Sequence, residues 1–265
     1  MFPLYTKKFP DNAVDLAVLL NDSVKRVFSN AANPVVIRDK AYPDLSEIRI
    51  TLDDAELRSD PPRPPMAKGK TSAGLRVDDL HINAARLMLG PATADLRLGA
   101  RDVCLGQAKD SNGEAMLMLQ SAADGVVEIT AATKDIEAAI AAVAKSEAGK
   151  HGVTIDQVRL TVKPRGARSV DGEVQLRAKK LFFSTVITIS AKLDLDEQLN
   201  ATVSGLKCHG EGAIGAMGCG FLEPHLNALN GRSFPLMALP LGEVRLRDVR
   251  IAATDKVTVS AEFGA

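Results

Sequence analysis

Apolar residues near the start of the chain recur at intervals of three and four. Ala13, Ala17, Leu20, Val24, Val27 and Phe28 share one face of a helix predicted over residues 11–30, with Asp11 or Asn12 placed to cap it. From Ser46 the period falls to two: Ile48, Ile50 and Leu52 alternate with Glu47, Arg49 and Thr51, which reads as a half-buried strand. The stretch 59–74, SDPPRPPMAKGKTSAG, stops that pattern because proline fixes φ and lacks an amide donor. It predicts a mobile loop between two strands. Short alternating segments follow at 75–82, 96–98 with 103–105, 116–119 and 126–129. A second amphipathic helix is predicted over 134–149, with Ile136, Ala139, Ile140 and Val143 on one face and Gly149 as its stop. Four strands fill 153–208, the clearest running Phe183, Thr185, Ile187, Ile189, Ala191, Leu193, Leu195 in strict alternation. A Gly-rich helix at about 212–229 and two strands near 243–252 and 256–263 complete the pattern.

Helices do not alternate one-for-one with strands, so a doubly wound parallel sheet is disfavoured and an antiparallel α+β fold is expected. Two strands carry a shared irregularity. In Leu75-Arg-Val-Asp-Asp-Leu-His-Ile and Val244-Arg-Leu-Arg-Asp-Val-Arg-Ile the apolar parity slips by one residue around Asp79 and Asp248. Such a slip turns side chains to the other face unless the strand bulges, and bulged strands belong to a bent sheet.

The chain carries 33 basic and 33 acidic side chains, which argues against a nucleic-acid binder held by phosphate neutralisation. With 4% aromatics and no Trp, platforms for stacking bases or sugars have few candidates. Three cysteines, Cys104, Cys208 and Cys219, do not read as a disulfide framework, and the odd count fits a reducing compartment or chance. The opening residues contain no apolar run of signal-peptide length, so the sequence as written reads as a soluble cytoplasmic protein. A chain trimmed of an export signal reads identically, which leaves the cell envelope as the alternative location.

Gly210-Glu-Gly212-Ala-Ile-Gly215 matches the dinucleotide-binding pattern G-x-G-x-x-G. Only 50 residues follow it, too few for the βαβ units that motif serves, so the glycines read instead as close packing of a helix on a sheet. Cys208, His209, Cys219 and His225 fall within 18 residues, but the spacing suits no paired zinc knuckles. Neighbouring Cys208 and His209 on a strand point to opposite faces. The expectation is no metal, no cofactor and no catalytic constellation: no G-x-S-x-G, H-E-x-x-H or Walker pattern is present. His81, His151, Asp53-Asp54 and Asp78-Asp79 read as exposed positions, strand edges and turns.

What the sequence does offer is an apolar surplus. Phe221-Leu222-Glu-Pro-His-Leu226-Asn-Ala-Leu229 is followed by Phe234-Pro-Leu236-Met237-Ala-Leu239-Pro-Leu241, with Met116 and Met118 earlier. Flexible apolar side chains repack around irregular ligands, and they also fill ordinary cores. From 135 to about 252 the pattern resembles the LmeA-type phospholipid-binding proteins, a branch of the tubular lipid-binding superfamily. The likeness lies in the helix at 136–148, the following Gly152-Val-Thr-Ile-Asp-Gln-Val-Arg-Leu-Thr-Val, the strands through 181–195 and 199–208, and the Leu239-Pro-Leu-Gly-Glu-Val segment. That resemblance implies one domain over 1–265, with 1–134 supplying the first helix and strands. It further implies a highly curved antiparallel sheet wrapped against long amphipathic helices around an apolar cavity. The implied function is non-enzymatic binding, and transfer, of a phospholipid or fatty-acyl ligand with transient membrane contact. Cavity candidates on that reading are Phe183, Ile187, Ile189, Leu193, Phe221, Leu222, Leu226, Leu229, Phe234, Leu236 and Met237. The competing expectation is a structural or interaction module whose core closes without a ligand.

Overall fold

The computed structural model describes residues 2–62, 65–150, 152–180, 183–196, 200–235 and 246–265. Its first half runs β1 (Phe2–Pro3), α1 (Ala13–Val27), β2 (Phe28–Ser29), β3 (Val35–Ala41), β4 (Asp44–Thr51), β5 (Glu56–Leu57), β6 (Lys68–Leu89), β7 (Ala92–Lys109), β8 (Ala115–Ser121) and β9 (Asp124–Ala132). The remainder is α2 (Thr133–Gly149), β10 (Thr154–Gly166), β11 (Ser169–Lys180), β12 (Phe183–Leu195), β13 (Asn200–Gly210), α3 (Gly212–Leu229), β14 (Arg232–Pro235), β15 (Leu246–Ala253) and β16 (Lys256–Gly264).

The expected α+β architecture does not hold. Strands make up 60% of the structure and helices 20%. Among the described residues no helix is long: the three named above have 15, 17 and 18 residues. There are two sheets, and the larger is mixed, because β4 and β5 both pair with β6 in parallel. The physical reason lies in the segment between β5 and β6. Ten residues, 58–67, separate the two strands, too many for a tight hairpin, and β6 pairs with β4 in parallel over Arg76–Asn83. The strand also begins earlier than expected, since 68–74 belongs to β6 and not to the loop.

Contacts gather into two compact units. Unit 1 comprises Met1–Ile129, Met237–Asp248 and Ser260–Ala265. Its α1 is well specified: Asn12 caps it by accepting from the Asp15 amide, and Leu16, Leu20 and Val24 are buried. β6 and β7 form its long antiparallel ribbon, and Leu45, Ile48, Ile50, Leu75, Val77, Val103 and Leu105 are core residues. Buried Glu47 is held between Arg38 (3.2 Å) and Arg49 (2.5 Å).

Unit 2 comprises Thr130–Leu236 and Val249–Val259. Its sheet is antiparallel throughout, in the order β10-β11-β12-β13-β14. Side chains alternate as the sequence predicts, with Ile155, Val158, Leu176, Ala178 and Ile187 forming a core on one face. Ile140, Ala141, Ala144 and Ala148 of α2 and Cys219 and Leu222 of α3 pack against that core. The other face of the sheet carries polar side chains. Among the described residues, no helix is long and apolar enough to cross a membrane.

Candidate functional site

The most distinctive local structure is α3 and the strand it lies on. Three glycines bring the two together. A Cβ on Gly210 would collide with the Gly215 backbone, and one on Gly218 would stand 2.8 Å from Ile187 Cδ1. The G-x-G-x-x-G run thus serves helix-on-sheet contact, as its sequence context suggests. Thr185 Oγ donates to the Glu211 carbonyl at 2.6 Å and the Glu211 amide donates to Val186 O at 3.0 Å, so the start of α3 is tied to β12.

Cys208 of β13 and Cys219 of α3 form a disulfide, with Cα atoms 5.5 Å apart. This corrects the reading of the cysteines as unpaired. The bonded sulfurs are also no longer available as thiolate metal ligands, while the side chain of His225 lies outside the described residues. His209 is exposed, on the opposite face to Cys208.

Beside the disulfide, α3 and β13 border a cleft of about 560 Å³, open to solvent. Its apolar wall is Leu206, the disulfide, Ala216 and Leu226, and its polar rim is Lys207, His209, Glu223 and Asn227. That volume lies within the roughly 300–1,000 Å³ of small-molecule sites. Among the described residues β14 pairs with β13 over Asn200–Val203, and beyond it α3 packs along β13, with the Leu206 amide donating to Asn230 Oδ1 at 3.2 Å.

The outward side of α3 is apolar too. Met217 is 61% exposed and Phe221, four residues on, is 71% exposed. Residues four apart lie on one helix face. Leu229 at 42% and Phe183 of β12 at 62% add further exposed apolar surface to the same unit. Glu223 and His225 are the only acidic or basic residues in the helix sequence.

The predicted cavity residues therefore separate into groups. Ile187 is buried beneath Gly218, and Ile189 and Leu222 pack on the same core, so these fill the interior. Leu193 is half-buried in β12. Leu226 lines the cleft, while Phe183, Phe221 and Leu229 are exposed. Phe234 lies in β14 with its side chain outside the described residues, as are Leu236 and Met237 entirely. Met217 was not among the candidates, although its place one turn before Phe221 was readable. No family model, curated protein or solved structure matches the chain.

Proposed function

We propose that this chain binds a lipid or another long-chain amphiphile without transforming it, and that the exposed apolar face of α3 is the contact. The observation that carries the reading is the pair Met217 and Phe221, exposed one turn apart on a helix whose Cys219 and Leu222 pack, half-buried, against the core. Contiguous exposed apolar surface of this kind marks interaction sites. Covering a Phe or Met side chain contributes roughly 1.5–3 kcal/mol, so the pair supplies an affinity difference of tens-fold or more. The acyl portion lies along Met217 and Phe221, on the side of α3 turned away from Leu226 and the cleft. This differs from an enclosed cavity within a wrapped sheet, because the inner face at Ile187 is occupied by α3.

We also infer an oxidising compartment, such as the cell envelope, since disulfides persist where thiols are not kept reduced. Native mass spectrometry followed by organic extraction tests the main reading: a co-purified or added amphiphile is expected on the protein. Replacing Met217 and Phe221 together by Asp should leave the fold intact, because both are exposed, and should abolish that binding. Unchanged amphiphile binding in the double variant, or no binding by the parent chain, overturns the assignment.

A further inference from the structure

The polar face of the unit 2 sheet holds a second cleft, of about 470 Å³, spanning four strands. Register places its side chains in two cross-strand rows. Lys163, Asp171 and Lys192 are opposite one another on β10, β11 and β12, and Thr161, Glu173, Ser190 and Lys207 continue across to β13. Directly opposed residues bring their Cβ atoms to about 5 Å, so these side chains converge. The floor is low, because Gly172, Ala191 and Gly205 line it. Gly205 sits at φ +61° beside the register shift between Ser190 and Lys192, and the Lys192 stem crosses it, 3.5 Å from where a Cβ would stand.

The charges in this cleft are unevenly satisfied. Asp171 is paired with Arg165 at 2.9 Å, and that same guanidinium reaches Asp194 at 2.5 Å. Glu173 accepts from the Gln175 amide at 2.9 Å. Lys163, Lys192 and Lys207 have no ion-pair or hydrogen-bond partner among the described residues. Three ammonium groups therefore face one cleft with two carboxylates: Glu173 is bonded to Gln175, and Asp171 is ion-paired with Arg165 although its buried Oδ1 has no hydrogen-bond partner among the described residues. Two hydroxyls, Thr161 and Ser190, stand among them as further donors.

We propose that this cleft is an anion site for a phosphate group, held by Lys163, Lys192 and Lys207. Lysine acts as a compact point charge with three rotatable donors, which suits a tetrahedral oxyanion approached from several strands. Arg165 is spent on Asp171 and Asp194, so bidentate guanidinium recognition of a planar carboxylate is not what the cleft offers. The assignment is independent of the amphiphile reading. Lys207 borders both clefts.

The test titrates the full chain with inorganic phosphate and glycerol phosphate, followed by calorimetry and ³¹P line broadening, at low and high salt. Saturable binding weakened by salt is expected, and each of Lys163→Gln, Lys192→Gln and Lys207→Gln should weaken it about tenfold. Lys68→Gln with Lys70→Gln and Lys109→Gln, on the exposed ribbon of unit 1, is the control for non-specific ion effects and should change nothing. Flotation with phosphatidic acid vesicles separates the sources. Binding of both soluble phosphate and vesicles assigns a lipid headgroup, and binding of soluble phosphate alone assigns a free phosphate ester. The Met217→Asp, Phe221→Asp variant should keep its phosphate binding, so loss of the amphiphile reading leaves this one standing. Absence of phosphate binding, or equal weakening by the unit 1 control, overturns the proposal.

Discussion

Asp102 sits at φ +48° inside β7, a left-handed backbone that few side chains other than Asp, Asn or Gly adopt. It falls between the pairs Val77–Val103 and Asp79–Arg101. Across that point burial passes from Val77 to Leu80 on one strand and from Val103 to Ala100 on the other, so both turn over together and the core face is kept. On β15 the same slip separates buried Leu246 from buried Val249, with Asp248 at φ +45°. The slip was legible in the apolar parity. That the partner strand's Asp102 takes the strain at the first site was not, because pairing is invisible in one strand's pattern. Asp102→Val should destabilise the protein by about 1–2 kcal/mol in urea unfolding, whereas Asp102→Gly should change it by only a few tenths. Equal effects of the two substitutions would contradict this account. A second residue-scale expectation concerns Tyr42, whose hydroxyl donates to Pro10 O at 2.6 Å and whose burial pushes its pKa up to about 12. The Tyr5 phenol is also raised, by burial, against the opposing pull of Arg26 over its ring. The folded chain holds the Tyr42 proton more tightly than the unfolded chain, whose tyrosines titrate near 10. Its contribution to stability is thus complete below about pH 10 and is lost as pH rises through 12. Absorbance at 295 nm should show one of the two tyrosines still un-ionised until about pH 12 while the protein remains native, and full-amplitude ionisation of both near pH 10 would refute the burial argument.

Helix α3 is unlike α1 in what holds it. α1 has a side-chain N-cap and basic residues in its last turn; α3 has neither. It carries Gly215, Gly218 and Gly220 in its interior, with Pro224 near its middle. Relative to alanine, those residues cost about 6 kcal/mol of helix propensity in sum. The disulfide, spanning a sequence separation of 11, offsets about 3 kcal/mol of that by restricting the unfolded chain. Packing of Cys219 and Leu222 on the core supplies the remaining hold. Cys208→Ala with Cys219→Ala should therefore collapse amide protection along α3 while β6 and β7 keep theirs in hydrogen exchange. Retained α3 protection would show that packing alone suffices. The glycines divide by what surrounds them. Gly220→Ala meets nothing within 4 Å and should stabilise by about 1 kcal/mol, whereas Gly215→Ala drives a Cβ against the Gly210 backbone and should destabilise. Opposite signs in thermal unfolding are the expected result. The limits of α3, 212 and 229, were readable from its flanking glycines and apolar run. The bond from Cys208 to Cys219 was not, because it depends on the helix folding back along β13.

At the scale of the molecule, sequence pattern identified which residues of a strand face inward but not which strands become neighbours. The four strands between 153 and 208 appear as β10 to β13 in simple antiparallel succession, where order along the chain is order in the sheet. Unit 1 breaks that equivalence: β6 makes one parallel pairing with its chain neighbour β5, which pairs with β2 on its other side, and lies parallel to β4 over Arg76–Asn83. Nothing in the alternation of Ile48, Ile50 and Leu52 encodes direction, so the mixed sheet had no signal to find. The same limit applies to ligand contact. Periodicity marks Ile187 and Phe183 as equivalent positions two residues on either side of Thr185, yet α3 covers the first and leaves the second exposed. Amphiphile binding should consequently reveal itself by location as well as by affinity. At a free ligand concentration one hundred times Kd, binding stabilises the native state by about 2.7 kcal/mol. If the exposed face of α3 is the contact, hydrogen exchange should slow first at the amides of α3. Slowing restricted to α1 and the β6–β7 ribbon would move the site to unit 1 and remove α3 from the account.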